Sequence, residues 1–278
     1  HGSGNYISRA MGSQKMEDAE QMAVTGFGSS FLFGVILMIL GLLFQDPLAR
    51  LLGSTDTILP YAKEYLCVIL LGAPFMASSL TLNNQLRFQG SAFFGMIGIT
   101  TGGILNIFLD PLFIFVLDMG ISGAAWATII SQMISFLILL MMTRAGGNIR
   151  IRLKKYSLKR SFWKEIVRGG TPSLCRQGLA SVATICLNLA AGPYGDAAIA
   201  AMSIVSRIMN FASSALIGLG QGFQPVCGFN YGAGLYQRVK DAFWFCVKVG
   251  SVAALVFAVI GFCFSGSLVE VFRKGDAD

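Results

Sequence analysis

Residues 105–115 read LNIFLDPLFIF, a stretch in which one acidic residue, Asp110, lies between two long apolar flanks. The surrounding region 93–117 carries almost no other charge. A helix needs roughly 20 mainly apolar residues to cross about 30 Å of membrane hydrocarbon. The stretch therefore predicts a membrane-spanning helix that holds a carboxylate inside the bilayer.

The composition of the whole chain indicates the same class of protein. Of its 278 residues 54% are hydrophobic and 13% are charged, whereas an average soluble domain carries about 25% charged residues. We predict an all-α integral membrane protein, a polytopic helical bundle with seven transmembrane helices present. The six spans predicted besides 93–117 are 22–45, 58–82, 119–142, 170–191, 197–221 and 242–264.

Enzyme classes find little support in the sequence. The only histidine is His1, and the six cysteines form neither a CxxC pair nor a Cys/His cluster, so they are interpreted as apolar packing residues. The chain has no HExxH, GxSxG or GxxxxGK[ST] motif. We predict that the protein is not an enzyme and carries no cofactor or histidine-based metal site.

The distribution of basic residues predicts the topology, because lysine and arginine concentrate in cytoplasmic loops. The segment 144–169 is placed inside, as a cytoplasmic basic linker between an amino-terminal lobe (1–143) and a carboxy-terminal lobe (170–278). Nucleic-acid binding is disfavoured because the segment joins two spans. Its part SFWKEIV, 161–167, is amphipathic and is expected at the membrane interface. The basic residues are Arg144, Arg150, Arg152, Lys154, Lys155, Lys159, Arg160, Lys164 and Arg168.

A weak internal repeat supports two lobes. When 1–58 is aligned with 221–278 without gaps, Gly12 meets Gly232 and Phe44 meets Phe264. Both copies run from a cytoplasmic basic loop through a span to an outer turn, which makes the repeat parallel. A complete protein would then have about a dozen helices in two pseudo-symmetric lobes.

Asp110 is the leading candidate site residue, because charged groups in hydrocarbon are costly and are functional candidates by default. Asn106 lies four residues earlier on the same helical face. Thr128 is expected at similar depth on the next, antiparallel helix. The three side chains could hold a proton or a Na⁺. In the alternative interpretation Asp110 caps a helix break before Pro111 and Asn106 packs.

The second half offers weaker candidates for substrate contact. Arg207 lies near the middle of its predicted span, with Asn210 three residues further on. Asn188 and Gln177 lie toward opposite ends of the span 170–191. Packing and hydrogen bonding between helices are the alternative for Arg207 and Asn210, and a side chain that extends to the membrane interface is the alternative for Gln177.

Several stretches together resemble the multidrug and toxic compound extrusion (MATE) family, and 169–208 is similar to its MepA-type branch. The similarity extends over nearly the whole chain. The stretches that carry it are ILNIFLDPLFIF (104–115), MGISGAAWATIISQ (119–132), GGTPSLCRQGLASVATICLNLAAGPYGDAAIAAMSIVSRI (169–208) and GLGQGFQPVCGFNYGAG (218–234).

The resemblance implies a bacterial plasma (inner) membrane, multi-pass exporter that antiports cationic, amphipathic drugs and dyes against H⁺ or Na⁺. It further implies a monomer in the lipid bilayer with no nucleic-acid partner. The family's amino-terminal cation site uses residues that match Asp110, Asn106 and Thr128, so a Na⁺ at Asp110 is one expectation. A flippase of a lipid-linked precursor, in the same superfamily, is the alternative function.

Two departures from the family pattern limit how many of the family's site residues can be assigned to this chain. The family's site also uses an aspartate on the first helix, and this chain lacks that helix. Some branches carry a glutamate early in the seventh helix, and none follows Pro172 here. From the resemblance we expect a fragment that starts at the end of helix two and stops after helix nine of twelve, and that does not transport by itself.

Overall fold

The computed structural model describes residues 1–51, 56, 59–145, 148–194 and 196–273. These residues form helices joined by short turns, and no strand occurs among them. The predicted all-α class is therefore confirmed for the described chain. The chain divides into two compact units, residues 1–169 and 170–278.

The described residues of the first unit form seven complete helices and the start of an eighth. A π-helical turn, Leu112–Val116, follows α6, and a 3₁₀ turn, Leu153–Lys155, precedes α8. α8 continues into the second unit. The helices are α1 (Gly2–Gly12), α2 (Met16–Leu43), α3 (Gln45–Leu51), α4 (Leu59–Leu71), α5 (Ala73–Phe88), α6 (Ala92–Pro111), α7 (Gly120–Met142) and α8 (Arg160–Ala191).

In the second unit a 3₁₀ turn, Gly192–Tyr194, follows α8. Three helices come after it: α9 (Asp196–Gly232), α10 (Tyr236–Cys263) and α11 (Ser265–Arg273). α9 and α10 pack against each other around Phe223 and Phe243, whose ring centroids are 6.4 Å apart. Long apolar side chains on both helices remain exposed, as expected for helices that face hydrocarbon.

Five helical stretches among the described residues are long and apolar enough to cross a membrane, or six if α4 and α5 cross as one bent pair. The predicted count of seven is therefore not reproduced. The span 170–191 lies in the second part of α8, where Arg176 and Gln177 lower the mean hydropathy. The five are Met16–Leu43, Ala92–Val116, Gly120–Met142, Ala201–Gly232 and Tyr236–Cys263.

The predicted span 58–82 corresponds to the pair α4 and α5, between which the chain bends by 48°. Pro74 occupies the first turn of α5, where its missing N–H and its ring prevent α4 from continuing. At the bend Gly72 lies against α7. A β-carbon on Gly72 would come within 2.9 Å of the Gln132 Oε1 atom, so glycine permits the close approach.

α6 and α7 pack closely because glycines on α6 face serines on α7. A β-carbon on Gly102 would lie 2.8 Å from Cβ of Ser135. Ser135 Oγ in turn donates a hydrogen bond to the Gly98 carbonyl oxygen over 2.9 Å. Small residues at four-residue spacing allow two helix backbones to approach in a membrane.

The basic segment packs on the first unit over its described residues 148–169. Ile149 and Phe162 are buried in one cluster with Ile7 of α1 and Met22 of α2. The backbone N–H of Ile149 donates to Gln89 Oε1 over 2.8 Å. The segment predicted as a linker is thus a packed part of the first compact unit.

Ion pairs and hydrogen bonds hold the same segment in place. Arg9 on α1 pairs with Glu165 on α8 at 2.7 Å, and Lys155 pairs with Glu20 on α2. The backbone N–H of Ser157 donates to Thr25 Oγ1 over 3.2 Å. These contacts reach two helices, α1 and α2, so the segment is fixed at several points.

Candidate functional site

Asp110 lies at the end of α6, half-buried, and is hydrogen-bonded to its own helix. Asn106 Nδ2 donates to Asp110 Oδ1 over 3.2 Å. The contact follows from helical geometry, since residues four apart lie one above the other on one face. One carboxylate oxygen thus has an amide partner inside a candidate membrane span.

Pro111 changes the helix without interrupting it. α6 ends at Pro111 and passes directly into the π-helical turn Leu112–Val116. The N–H of Leu117 bonds to the Leu112 carbonyl over 3.0 Å, a wider turn than in an α-helix. The predicted break is therefore a local change of pitch beside Asp110. The carboxylate's described side-chain partner is Asn106.

A cavity of about 280 Å³ lies between α5, α6 and α7. Asn106 and Thr128 both line it, so the structure brings two of the three predicted cation-site residues to one space. Asp110 is not among the lining residues. It is hydrogen-bonded to Asn106, which is one of them. Met76, Leu80 and Ile99 form part of the apolar wall.

The sequence analysis missed most of the polar wall. The signal that could have found α7's part of it is helical spacing, because Ser131 and Ser135 follow Thr128 by three and seven residues. The α5 part could not be found in this way, since α5's orientation depends on the bend at Gly72. The polar lining residues besides Asn106 and Thr128 are Ser79, Ser131, Gln132 and Ser135.

The hydroxyl groups on the α7 side of the cavity already donate hydrogen bonds to backbone carbonyl oxygens. Thr128 Oγ1 donates to Ala124 O over 2.9 Å, and Ser131 Oγ donates to Ala127 O over 2.8 Å. Ser135 Oγ donates across to α6, as described above. A hydroxyl has one donor and two acceptor lone pairs, so these three groups offer the cavity acceptors only.

The predicted substrate-contact residues whose side chains are described do not line a common cavity in the second unit. Arg207 and Asn210 are exposed on α9, and Gln177 is exposed on α8. A cavity of about 480 Å³ between α9 and α10 has a mainly apolar lining that includes none of these three residues. The side chain of Asn188 lies outside the described residues.

A metal centre built from several charged ligands is not found in the described part of the chain, where no group of three His, Cys, Asp or Glu residues clusters. Sodium does not need such a cluster, because hard cations are also bound by neutral carbonyl and hydroxyl oxygens. A Na⁺ at Asp110 stays a prediction.

Several helices long and apolar enough to cross a membrane, with a cavity between three of the helices of the first unit, define a multi-pass helical membrane protein. A sequence model of the MatE family matches residues 2–112 and 172–277. The chain therefore belongs to the MatE family, as its resemblance to that family predicts.

Named relatives extend the comparison. The chain is 30% identical over 277 residues to the multidrug export protein MepA of Staphylococcus aureus (strain bovine RF122 / ET3-1). The aligned region covers 99% of this chain and 58% of that protein. A crystal structure of MATE in the bent conformation superposes with a TM-score of 0.91 at 30% identity, covering 99% of this chain and 62% of that one.

A further solved structure comes from a protein with a contrasting binding pocket. It is a MOP superfamily transporter from Pyrococcus furiosus whose reverse polarity of the binding pocket is said to suggest a different function. The TM-score is 0.89 at 28% identity, with 98% of this chain and 61% of that one covered. The chain thus spans about three fifths of the length of the relatives it matches.

Proposed function

We propose that the chain contributes to a secondary active exporter that antiports cationic, amphipathic drugs or dyes against H⁺ or Na⁺. The observation that carries this proposal is a 280 Å³ cavity whose mainly apolar wall contains a few polar side chains. Thr128, Ser131 and Ser135 present oxygen lone pairs there, while their protons bond to backbone carbonyls. An apolar wall with a few oxygen acceptors suits an amphipathic cation better than an anion.

Asp110, Asn106 and Thr128 are proposed as the cation-coupling residues. Asp110 is the acidic residue of α6, and Asn106 joins its carboxylate to the cavity. A proton or a Na⁺ neutralises this carboxylate, and a cationic drug in the neighbouring cavity then loses an attractive charge. Binding of one cation therefore disfavours the other, which is the condition for exchange.

Coupling of this kind also needs two conformations with different affinities for the coupling cation. The Pro111 turn lies directly beside the carboxylate, so a change of helical pitch there alters the surroundings of Asp110. The residues Arg207, Asn210, Asn188 and Gln177 remain proposed substrate contacts of the second unit. They are exposed, or lie outside the described side chains, and so carry no part of the argument.

The alternative is a flippase of a lipid-linked precursor. Such a protein needs several arginines or lysines to meet a diphosphate. The described lining of the cavity in the first unit contains neither residue type. The lack of basic residues in this lining favours the exporter. The polarity of the pocket is a useful criterion because the Pyrococcus furiosus relative, whose pocket has reverse polarity, is suggested to have a different function.

The deciding experiment is ethidium efflux from cells that express the full-length gene, with an uncoupler collapsing the proton gradient and sodium varied separately. Efflux that depends on one of these gradients, and that stops with Asp110→Asn, supports the proposal. Absence of efflux under every gradient would favour the flippase. Efflux by Asp110→Asn at the unsubstituted level would remove Asp110 from the mechanism.

A further inference from the structure

The first turns of α8, residues 160–168, present an outward face of two halves. Arg160, Lys164 and Arg168 follow one another at four-residue spacing, so they lie along one helical face. Trp163 and Val167 lie beside this row, and both are exposed, at 37% and 62%. One half of the face is therefore basic and the other apolar.

The opposite face of the same turns is fixed to the first unit. Phe162 is only 4% exposed and stacks edge-on against Tyr6, with ring centroids 5.6 Å apart. Ile166 packs against the same buried cluster. Glu165 pairs with Arg9 at 2.7 Å. The helix thus cannot rotate freely, and the outward direction of the basic row is set by packing.

The three basic side chains have no acidic partner in the part of the chain that the structure describes. Among the described residues none of Arg160, Lys164 and Arg168 forms an ion pair. The carboxylates that form ion pairs with or within the segment, Glu20 and Glu165, are paired with Lys155 and Arg9. The positive charge of this face is consequently available to an external anion.

The position of the face in the chain selects the partner. Residues 160–168 follow the candidate span α7, which ends at Met142, so they lie near the membrane surface. An exposed tryptophan and valine suit the boundary between headgroups and acyl chains, and an adjacent basic row suits negatively charged headgroups. A face that met only water would have no use for the apolar half.

We propose that the outward face of 160–168 binds anionic phospholipid headgroups of the cytoplasmic leaflet through Arg160, Lys164 and Arg168, while Trp163 and Val167 insert into the interface. The first unit is thereby anchored at a fixed depth by a helix that does not itself cross the bilayer at this point. The anchor is independent of what the protein exports.

Tryptophan quenching tests the proposal directly. In a Trp126→Phe/Trp244→Phe background Trp163 is the only tryptophan left. The purified protein is reconstituted with brominated phosphatidylglycerol or brominated phosphatidylcholine, each diluted in unbrominated phosphatidylcholine. We expect stronger quenching by the anionic lipid at equal mole fraction, and a preference that weakens as salt is raised.

The test variant is Arg160→Gln/Lys164→Gln/Arg168→Gln. Removal of three charges near a membrane surface should lower the preference for phosphatidylglycerol by at least about tenfold. The matched control is Arg150→Gln/Arg152→Gln/Lys154→Gln, which loses the same charge from exposed positions before α8. It should keep the preference within about twofold.

Each other result overturns the proposal. Equal quenching by both lipids would mean apolar insertion without headgroup recognition, and no quenching would place the face away from the membrane. An equal loss in both triple variants would assign the effect to diffuse charge. Circular dichroism verifies that the variants keep their helix content, and the salt series on the unsubstituted basic row remains decisive if the test variant misfolds.

Discussion

Ser135 on α7 donates its hydroxyl proton to the carbonyl oxygen of Gly98 on α6, at 2.9 Å. This bond joins the two helices that carry Thr128 and Asp110. It lies one turn from Gly102, where the side chain of Ser135 fills the space that a β-carbon would need. The spacing of the two helices is therefore set by atoms that also bound the cavity.

Gly102→Ala should destabilise the protein, because the added β-carbon would lie 2.8 Å from Ser135 Cβ and 3.2 Å from the Ser131 carbonyl oxygen. Overpacking of this kind costs about 1–3 kcal/mol. Thermal unfolding in detergent measures the effect. The control is Gly103→Ala, one residue further on, where a β-carbon meets nothing within 4 Å. Equal melting temperatures for both variants would contradict the close packing.

Asp110→Asn should abolish ethidium efflux while the protein remains in the membrane at normal abundance. Asparagine keeps the shape of the side chain but can be neither charged nor protonated, so the cation switch is lost. Asp118→Asn is the matched control: Asp118 is exposed and has a φ of 51°, a conformation that asparagine tolerates. Loss of efflux in both variants would point to a general defect.

Thr128→Val should weaken efflux by about fivefold, because it removes an acceptor oxygen from the cavity wall and costs a hydrogen bond of about 1 kcal/mol. Valine has nearly the same shape, so packing is preserved. Thr128→Ser retains the hydroxyl and should keep most of the activity. A serine variant as impaired as the valine variant would show that the methyl group matters and that the oxygen does not.

Phe162→Ala should loosen the basic segment, since it deletes a buried ring from the cluster around Ile7 at a cost of about 3–5 kcal/mol. The lysines and arginines of 148–168 then become better substrates for trypsin. Limited proteolysis of the purified protein measures the change. Leu158→Ala, at a side chain that is 78% exposed, is the control, and equal cleavage of both variants would refute the packing role.

Features that depend on local geometry could be predicted from the sequence. The all-helical fold follows from long runs with few charges, and the contact between Asn106 and Asp110 follows from their spacing along one helix. The common cavity of Asn106 and Thr128 needed one more assumption, that consecutive spans joined by a short turn pack side by side.

Features that depend on contacts distant in sequence could not be predicted. The bend at Gly72 needs Pro74 in α5 and the close approach of Gln132 on α7. The charge of 144–169 predicted a cytoplasmic basic linker and gave no sign that Ile149 and Phe162 are buried against α1 and α2. Composition does not indicate which of the few apolar residues in a basic segment will pack against other helices.

The cluster that unites Ile7 with Phe162 has a consequence for biosynthesis. Its members come from both ends of the first unit, and chains fold progressively as they leave the ribosome. Until the start of α8 has been translated, the apolar faces of Ala19 and Met22 lack their cover. A nascent chain that paused after α7 would therefore expose this surface to chaperones and proteases, and translation through Phe162 ends that exposure.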